Sequence, residues 1–98
     1  MAIKVLIRRR CPREREKELF HCIREIRRLV PQQSGYISGE YLKSISEPNE
    51  ITTISSWFSL EDWQAWFESD ERKEIQSRID AIAQVMTEYS IYRYIKTR

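Results

Sequence analysis

Ninety-eight residues suffice for one domain, and a chain that is 41% hydrophobic and 33% charged is globular rather than a disordered tail. A formal net charge of +2 gives little reason to expect a nucleic-acid partner, and no apolar run approaches the roughly 20 residues that span a bilayer. With two cysteines and one histidine, the chain has neither a disulfide framework nor a zinc-ligand set.

The opening Met1-Ala2-Ile3-Lys4-Val5-Leu6-Ile7 is too short and too soon charged for a secretory signal, so the cytoplasm is the expected compartment. Ile3, Val5 and Ile7 alternate with Lys4, Leu6 and Arg8, which predicts a strand over about residues 2–10. Arg8, Arg9, Arg10, Arg13 and Arg15 cluster here, and Arg24, Arg27 and Arg28 follow. Glu14, Glu16, Glu18 and Glu25 interleave with them, so most of this charge reads as a mixed, solvated helix face. Cys11 falls at the strand–helix junction, where a thiolate is mildly favoured. Pro12 suits a first helical turn, because its missing N–H costs nothing there.

Leu19, Cys22, Ile23, Ile26, Leu29 and Val30 then repeat at helical spacing and define an amphipathic helix that Pro31 ends. His21 lies opposite this stripe. A second strand is expected from Tyr36 to about Ser46. Glu47-Pro48-Asn49-Glu50 supplies turn residues, and the β-branched run Ile51 to Phe58 completes a hairpin. Ser59 is placed to cap the next helix, with Asp62 as the capping-box acid. That helix carries Leu60, Trp63, Trp66 and Phe67. Ser69-Asp70 reads as a break and a fresh cap, followed by a longer helix that buries Ile75, Ile79, Ile82 and Met86. A last strand runs from about Thr87 to Ile95.

The order β-α-β-β-α(α)-β is the split βαβ arrangement. The expected fold is α+β and ferredoxin-like, a single domain over 1–98 with a four-stranded antiparallel sheet and helices on one face. Neither sheet face reads as cleanly polar. Ile37, Tyr41 and Ile45 oppose Tyr36 and Leu42. Tyr89, Ile91 and Ile95 oppose Tyr92 and Tyr94. Leu6 is apolar opposite Ile3, Val5 and Ile7. A second copy covering the outer face, in a sheet-to-sheet homodimer, is therefore expected.

The stretch Trp57-Phe58-Ser59-Leu60-Glu61-Asp62-Trp63-Gln64-Ala65-Trp66-Phe67-Glu68-Ser69-Asp70 resembles the antibiotic biosynthesis monooxygenase family, as does the Gly35-Tyr36 strand opening. The element order matches that family over nearly the whole chain. The resemblance implies small dimeric ferredoxin-like proteins with a cleft between helices and sheet. Some members are cofactor-free oxygenases of quinols or polyphenols, some degrade haem, and many have no established activity.

The haem-degrading branch implies a tryptophan in this helix, a histidine ten residues on, and an asparagine on the first strand. Trp66 matches the first. Gln76 stands at the second position and is a poor iron ligand. Leu6 or Ile7 stands at the third. Haem degradation is therefore disfavoured, and no bound cofactor is expected. Oxidation of a quinol or polyphenol asks instead for an apolar pocket and a few hydrogen bonds.

Trp57, Trp66 and Tyr41 are the aromatic candidates to line such a pocket, and Gln76 or Arg93 could orient a phenolate. Trp63 and Phe67 point inward as core. Trp66 lies about 60° off their face by helical-wheel geometry, at a rim, which makes it the leading substrate-binding candidate. A non-catalytic, ligand-binding or regulatory dimer is the alternative. An RNA-binding module is not expected, because the Lys/Arg-Gly-aromatic strand signature is missing; Gly39-Glu40-Tyr41 has an acid in its place.

Overall fold

The computed structural model describes residues 1–97. Four strands, β1 (Ile3–Arg10), β2 (Tyr36–Lys43), β3 (Glu50–Trp57) and β4 (Met86–Arg93), form one sheet in the order β2-β3-β1-β4. Every neighbouring pair is antiparallel. Three helices, α1 (Glu16–Leu29), α2 (Leu60–Phe67) and α3 (Asp70–Asp80), accompany the sheet. This is the ferredoxin-like α+β architecture expected from the sequence.

Local chemistry accounts for the helix boundaries. Ser59 Oγ accepts from the Asp62 backbone N–H at 3.1 Å and donates to Asp62 Oδ2 at 2.9 Å. Ser69 Oγ accepts from the Arg72 N–H at 3.2 Å and opens α3. Each hydroxyl satisfies an N–H that the first helical turn leaves without an internal partner. At the far side of α1, Pro31 falls in a short 3₁₀ turn that ends the helix.

Strand parity decides what is buried. Ile3 and Val5 on β1 pack against Trp57, Trp63, Trp66 and Val30 in one half of the core. Cys11, Leu19, Cys22, Ile23, Ile51, Ile75, Ile79 and Ile82 form the other half. A bidentate ion pair, Arg78 Nη1 and Nη2 to Glu25 at 2.6 and 2.9 Å, ties α3 to α1.

Four details depart from expectation. A register shift between Tyr36 and Ser38 puts Tyr36 and Tyr41 on the same, helix-facing side and leaves Ile37 56% exposed in the bulge. The strand β2 ends at Lys43 rather than near Ser46. The helix α3 ends at Asp80, and Gln84 takes a left-handed φ of 66°. Met86 therefore opens β4 and is 66% exposed instead of buried on a helix, while Ile95 lies beyond the strand at 78% exposure. Finally, Arg9 is buried at 3% exposure rather than solvated with its neighbours.

The outer sheet face carries Leu6 opposite Ile54, with Leu42 and Tyr92 exposed to either side. The long helix of a membrane span is absent: among the described residues no helix is long and apolar enough to cross a bilayer.

The entry to β2 depends on Gly35, which has φ +80° and whose carbonyl accepts from Phe58 N–H at 2.7 Å. A Cβ there would collide with the Asp62 side chain that the α2 cap holds in place. Gly35→Ala should therefore cost about 1–3 kcal/mol, the range for a left-handed non-glycine residue. Urea denaturation measures it, and an unchanged midpoint would contradict this account of the turn.

Candidate functional site

The helix-facing side of the sheet is built in rows. One row reads Tyr41, Thr53, Ile7, Tyr89 across the four strands; the next reads Lys43, Ile51, Arg9, Thr87. Phenols thus stand at both ends of one row, with a guanidinium beside them in the next. Thr53 and Ser55 are buried small residues in this layer, and Gly39 leaves room for the Tyr36 phenol, which lies where a Cβ would project.

A cavity of about 260 Å³ opens between α1 and the β2–β3 side of the sheet. Phe20 and Ile23 from α1 and Ile51 from β3 supply its apolar wall. Tyr41 and Leu42 close it from β2, and Arg24, Arg27 and Lys43 complete the lining. Lys43 is neutralised by Glu16 at 2.9 Å, and the Arg27 guanidinium sits 5.4 Å from the Tyr41 ring centroid. An apolar cavity of about 150 Å³ already accepts a benzene-sized ligand, so this volume suits a small aromatic compound.

Arg9 is not itself a lining residue: it stands behind the cavity wall, next to Ile51, its register partner on β3. Its Nη2 donates to Gln76 Oε1 at 3.2 Å, and its buried Nε has no partner. Gln76 Nε2 in turn donates to Asp80 Oδ1 at 2.9 Å and Thr87 Oγ1 at 3.2 Å. Among the described residues no carboxylate comes within ion-pair distance of Arg9. Burial is the main influence and pulls its pKa below the usual arginine value. The Tyr89 and Tyr41 phenols and the Asp80 carboxylate act in the opposite sense, and Arg72 reinforces the depression.

Arg72 is also buried, but two of its guanidinium nitrogens are engaged. Its Nε donates to the Phe67 carbonyl at 2.7 Å and its Nη1 to Tyr89 Oη at 2.9 Å. Its guanidinium lies 4.1 Å from the Phe67 ring centroid. This arginine braces the α2–α3 corner against β4.

The residues singled out in the sequence do not meet in one place. Trp66 and Trp57 are buried at 5% and 1% exposure in the tryptophan half of the core. The rim position expected for Trp66 is thus corrected: the short α2 is held by α3 as well as by the sheet, so more than one of its faces is covered. Ser69 Oγ donates to the Trp66 carbonyl at 2.7 Å as part of that corner. Phe67, expected in the core, is half-buried against Trp63 and Tyr89. Tyr41 lines the α1 cavity. Arg93 lines a separate groove with Met1, Ile3, Leu60 and Tyr92. Gln76 lies in the interior polar network with Arg9.

Arg9 and Arg72 are the buried charged residues that the linear reading missed. Parity held the signal for Arg9, since it continues the series Ile3, Val5, Ile7. Helical spacing held it for Arg72, which precedes Ile75 and Ile79 on α3. A haem is a poor fit to this interior: the side chain at the expected ligand position is the Gln76 amide, already committed to Arg9, Asp80 and Thr87.

The antibiotic biosynthesis monooxygenase family model matches residues 2–78, and the chain belongs to that family. Among solved structures it is similar to a conserved protein from Methanosarcina mazei Go1, with 22% identity, a TM-score of 0.87, and 95% and 92% of the two chains covered. It also resembles SnoaB, a cofactor-independent oxygenase from Streptomyces nogalater, at 12% identity and TM-score 0.81, covering 98% and 95%. Rv0793 from Mycobacterium tuberculosis gives 9% identity and TM-score 0.87, covering 99% and 98%. At these identities the likeness is one of fold. A search of curated protein sequences finds no match.

Burial pushes the Tyr41 phenol above its ordinary value, with the Tyr36 phenol adding to the rise and Arg27 opposing it. A raised folded-state pKa favours the neutral phenol, so its stabilising contribution is complete below pH about 10 and is lost as pH rises further. An absorbance titration should show Tyr41 among the late-ionising phenols, and Tyr41→Phe should remove that late step. An unchanged titration curve in the variant would contradict it.

Proposed function

We propose that the protein oxidises a quinol or polyphenolic small molecule with dioxygen, without a bound cofactor, in the layer between helices and sheet. The observation that supports this reading is the α1–sheet cavity, apolar on one wall, with the buried Arg9 behind its Ile51 wall. Membership of a monooxygenase family supports it. The fold shared with a cofactor-independent oxygenase is consistent with it.

The chemistry follows from the substrate. A quinol that loses its hydroxyl proton to solvent becomes an electron donor. One electron passes to dioxygen, and the resulting superoxide couples with the substrate radical at a ring carbon to form a C–O bond. The O–O bond then breaks. One oxygen stays on carbon as a carbonyl and the other leaves as water, carrying the former ring hydrogen and a hydroxyl hydrogen. Four electrons leave the substrate and dioxygen accepts four. The protein's part is to exclude water, hold the ring against Phe20, Ile23 and Ile51, and favour the anion that reacts. Trp66, Trp57, Gln76 and Arg93 remain substrate-binding proposals. In this scheme Trp57 and Trp66 act as the packed core beside the cavity half of the same helix–sheet layer, Gln76 acts through Arg9, and Arg93 acts at its own groove.

One observation favours a non-catalytic, ligand-binding role. The cavity lining contains no carboxylate and no imidazole to serve as a general base. Aromatic ligands would then raise the melting temperature without turnover.

The proposed working unit is a homodimer joined through the outer sheet faces. The facing pair Leu6 and Ile54, with exposed Leu42 and Tyr92 beside it, supports that arrangement.

A panel of quinols and polyphenols should reveal oxygen uptake with product carrying one atom from labelled dioxygen. Phe20→Trp, which fills part of the cavity, should raise KM by about tenfold or more while leaving the melting temperature near wild type. Absence of oxygen consumption across the panel, on folded protein, would leave the ligand-binding reading in its place.

A further inference from the structure

We infer that Arg9 is the oxyanion-recognition group of this site, so that the ligand binds as its deprotonated phenolate or enolate. The inference rests on the proposed site but not on its oxygen chemistry.

The two buried arginines differ in what they do for the fold. Arg72 spends its donors on the Phe67 carbonyl and the Tyr89 hydroxyl, at 2.7 and 2.9 Å, and stacks on Phe67. That is the bonding of a structural brace. Among the described residues Arg9 has one bond of 3.2 Å, to a neutral amide, and a buried Nε with no partner. Removing a guanidinium from water is costly, and a fold repays it by pairing the charge and satisfying its donors. Here both are incomplete: among the described residues no carboxylate lies at ion-pair distance, and the Asp80 carboxylate, exposed on α3, acts on Arg9 from farther away and is linked to it through the Gln76 amide. Strand parity puts Arg9 inside, but the contacts within the chain leave its charge poorly compensated. An anion arriving from outside the chain would compensate it.

The surroundings match an aromatic oxyanion rather than a bare inorganic one. Beside Arg9 lie Ile51 and Thr87 in register, Gln76 above, and the Tyr41 and Tyr89 phenols within electrostatic reach. Ile51 and Tyr41 also line the apolar cavity. A ring in that cavity and an oxygen toward Arg9 satisfy both halves of the site. Gln76, bonded to Arg9, Asp80 and Thr87, is the positioning residue that holds the guanidinium.

The test uses 4-nitrophenol, whose phenolate absorbs visible light and whose neutral phenol does not, with the whole 98-residue chain and no oxygen chemistry. Bound to wild type, the probe should ionise at least about one pH unit below its value in buffer, because an adjacent opposite charge favours the anion. Arg9→Met should abolish that shift and weaken binding of the phenolate by about tenfold or more. Its melting temperature should equal or exceed that of wild type, because an apolar chain replaces an unpaired buried charge. Arg9→Lys keeps a cation and should keep a shift of the same sign, so the inference stays testable if the methionine variant does not fold. Gln76→Leu should shrink the shift with Arg9 still present.

A probe bound to wild type as neutral phenol would overturn the inference. So would a shift that survives in Arg9→Met, or a folded Arg9→Met that melts well below wild type. The two proposals separate cleanly. Oxygen uptake that persists undiminished in Arg9→Met sinks the role of Arg9 and leaves the oxygenase reading standing. A wild-type phenolate shift without oxygen uptake from any quinol does the reverse.

Discussion

The strand β1 is paired on both edges, to β3 along one side and β4 along the other. A central strand offers no freedom of register: alternate side chains must face the helices, and a slip by one residue would turn every one of them outward. Ile3 and Val5 meet that requirement and are buried at 5% and 0% exposure. The same alternation carries Arg9 into the interior on the same face. The apolar core and the unusual charge within it are thus products of one constraint.

That constraint explains the division of the helix–sheet layer. Around Ile3 and Val5 the space is filled by Trp57, Trp63 and Trp66, and aromatic contacts such as Trp63 to Phe67 and Phe67 to Tyr89, at 4.9 and 5.3 Å, continue to the α2–α3 corner. Large rings packed this way leave little room for a ligand. Toward Arg9 the layer changes character: Gln76, Thr87 and Thr53 replace the tryptophans, and the α1 cavity lies beside them. Both ends hold buried apolar clusters, but only the Arg9 end places a cavity and a buried cation beside its cluster, and strain of the kind a buried cation introduces is the usual mark of a functional end.

Residues that perform similar tasks elsewhere on the chain show why Arg9 stands apart. Arg78 is balanced by Glu25 and Glu74, Arg15 by Glu18, and Lys43 by Glu16. Except at the largely buried Glu16, water also screens these charges, so each such pair adds only a modest amount. Arg9 is buried, and among the described residues no carboxylate lies within ion-pair distance of it.

Much of this was legible in the linear chain. The element order, the caps at Ser59 and Ser69 and the family-like segment from Trp57 to Asp70 depend on neighbours a few residues apart, and local chemistry settles them. The positions of Arg9 and Arg72 were legible in principle, through strand parity and helix spacing, but the surrounding run of arginines and glutamates masked them as surface charge. Other features were not legible at all. The bulge between Tyr36 and Ser38 turns Tyr36 onto the face of Tyr41, and it arises from pairing with β3 rather than from β2 itself. Trp66 reads as a rim residue on an isolated helix and becomes core because α3 folds back on α2. The meeting of Arg9 with Gln76 joins residues 67 positions apart. Periodicity reports which face a side chain takes; only the packing of β1 beneath α3 reports what it meets there, because that contact is made across the sheet and not along the chain.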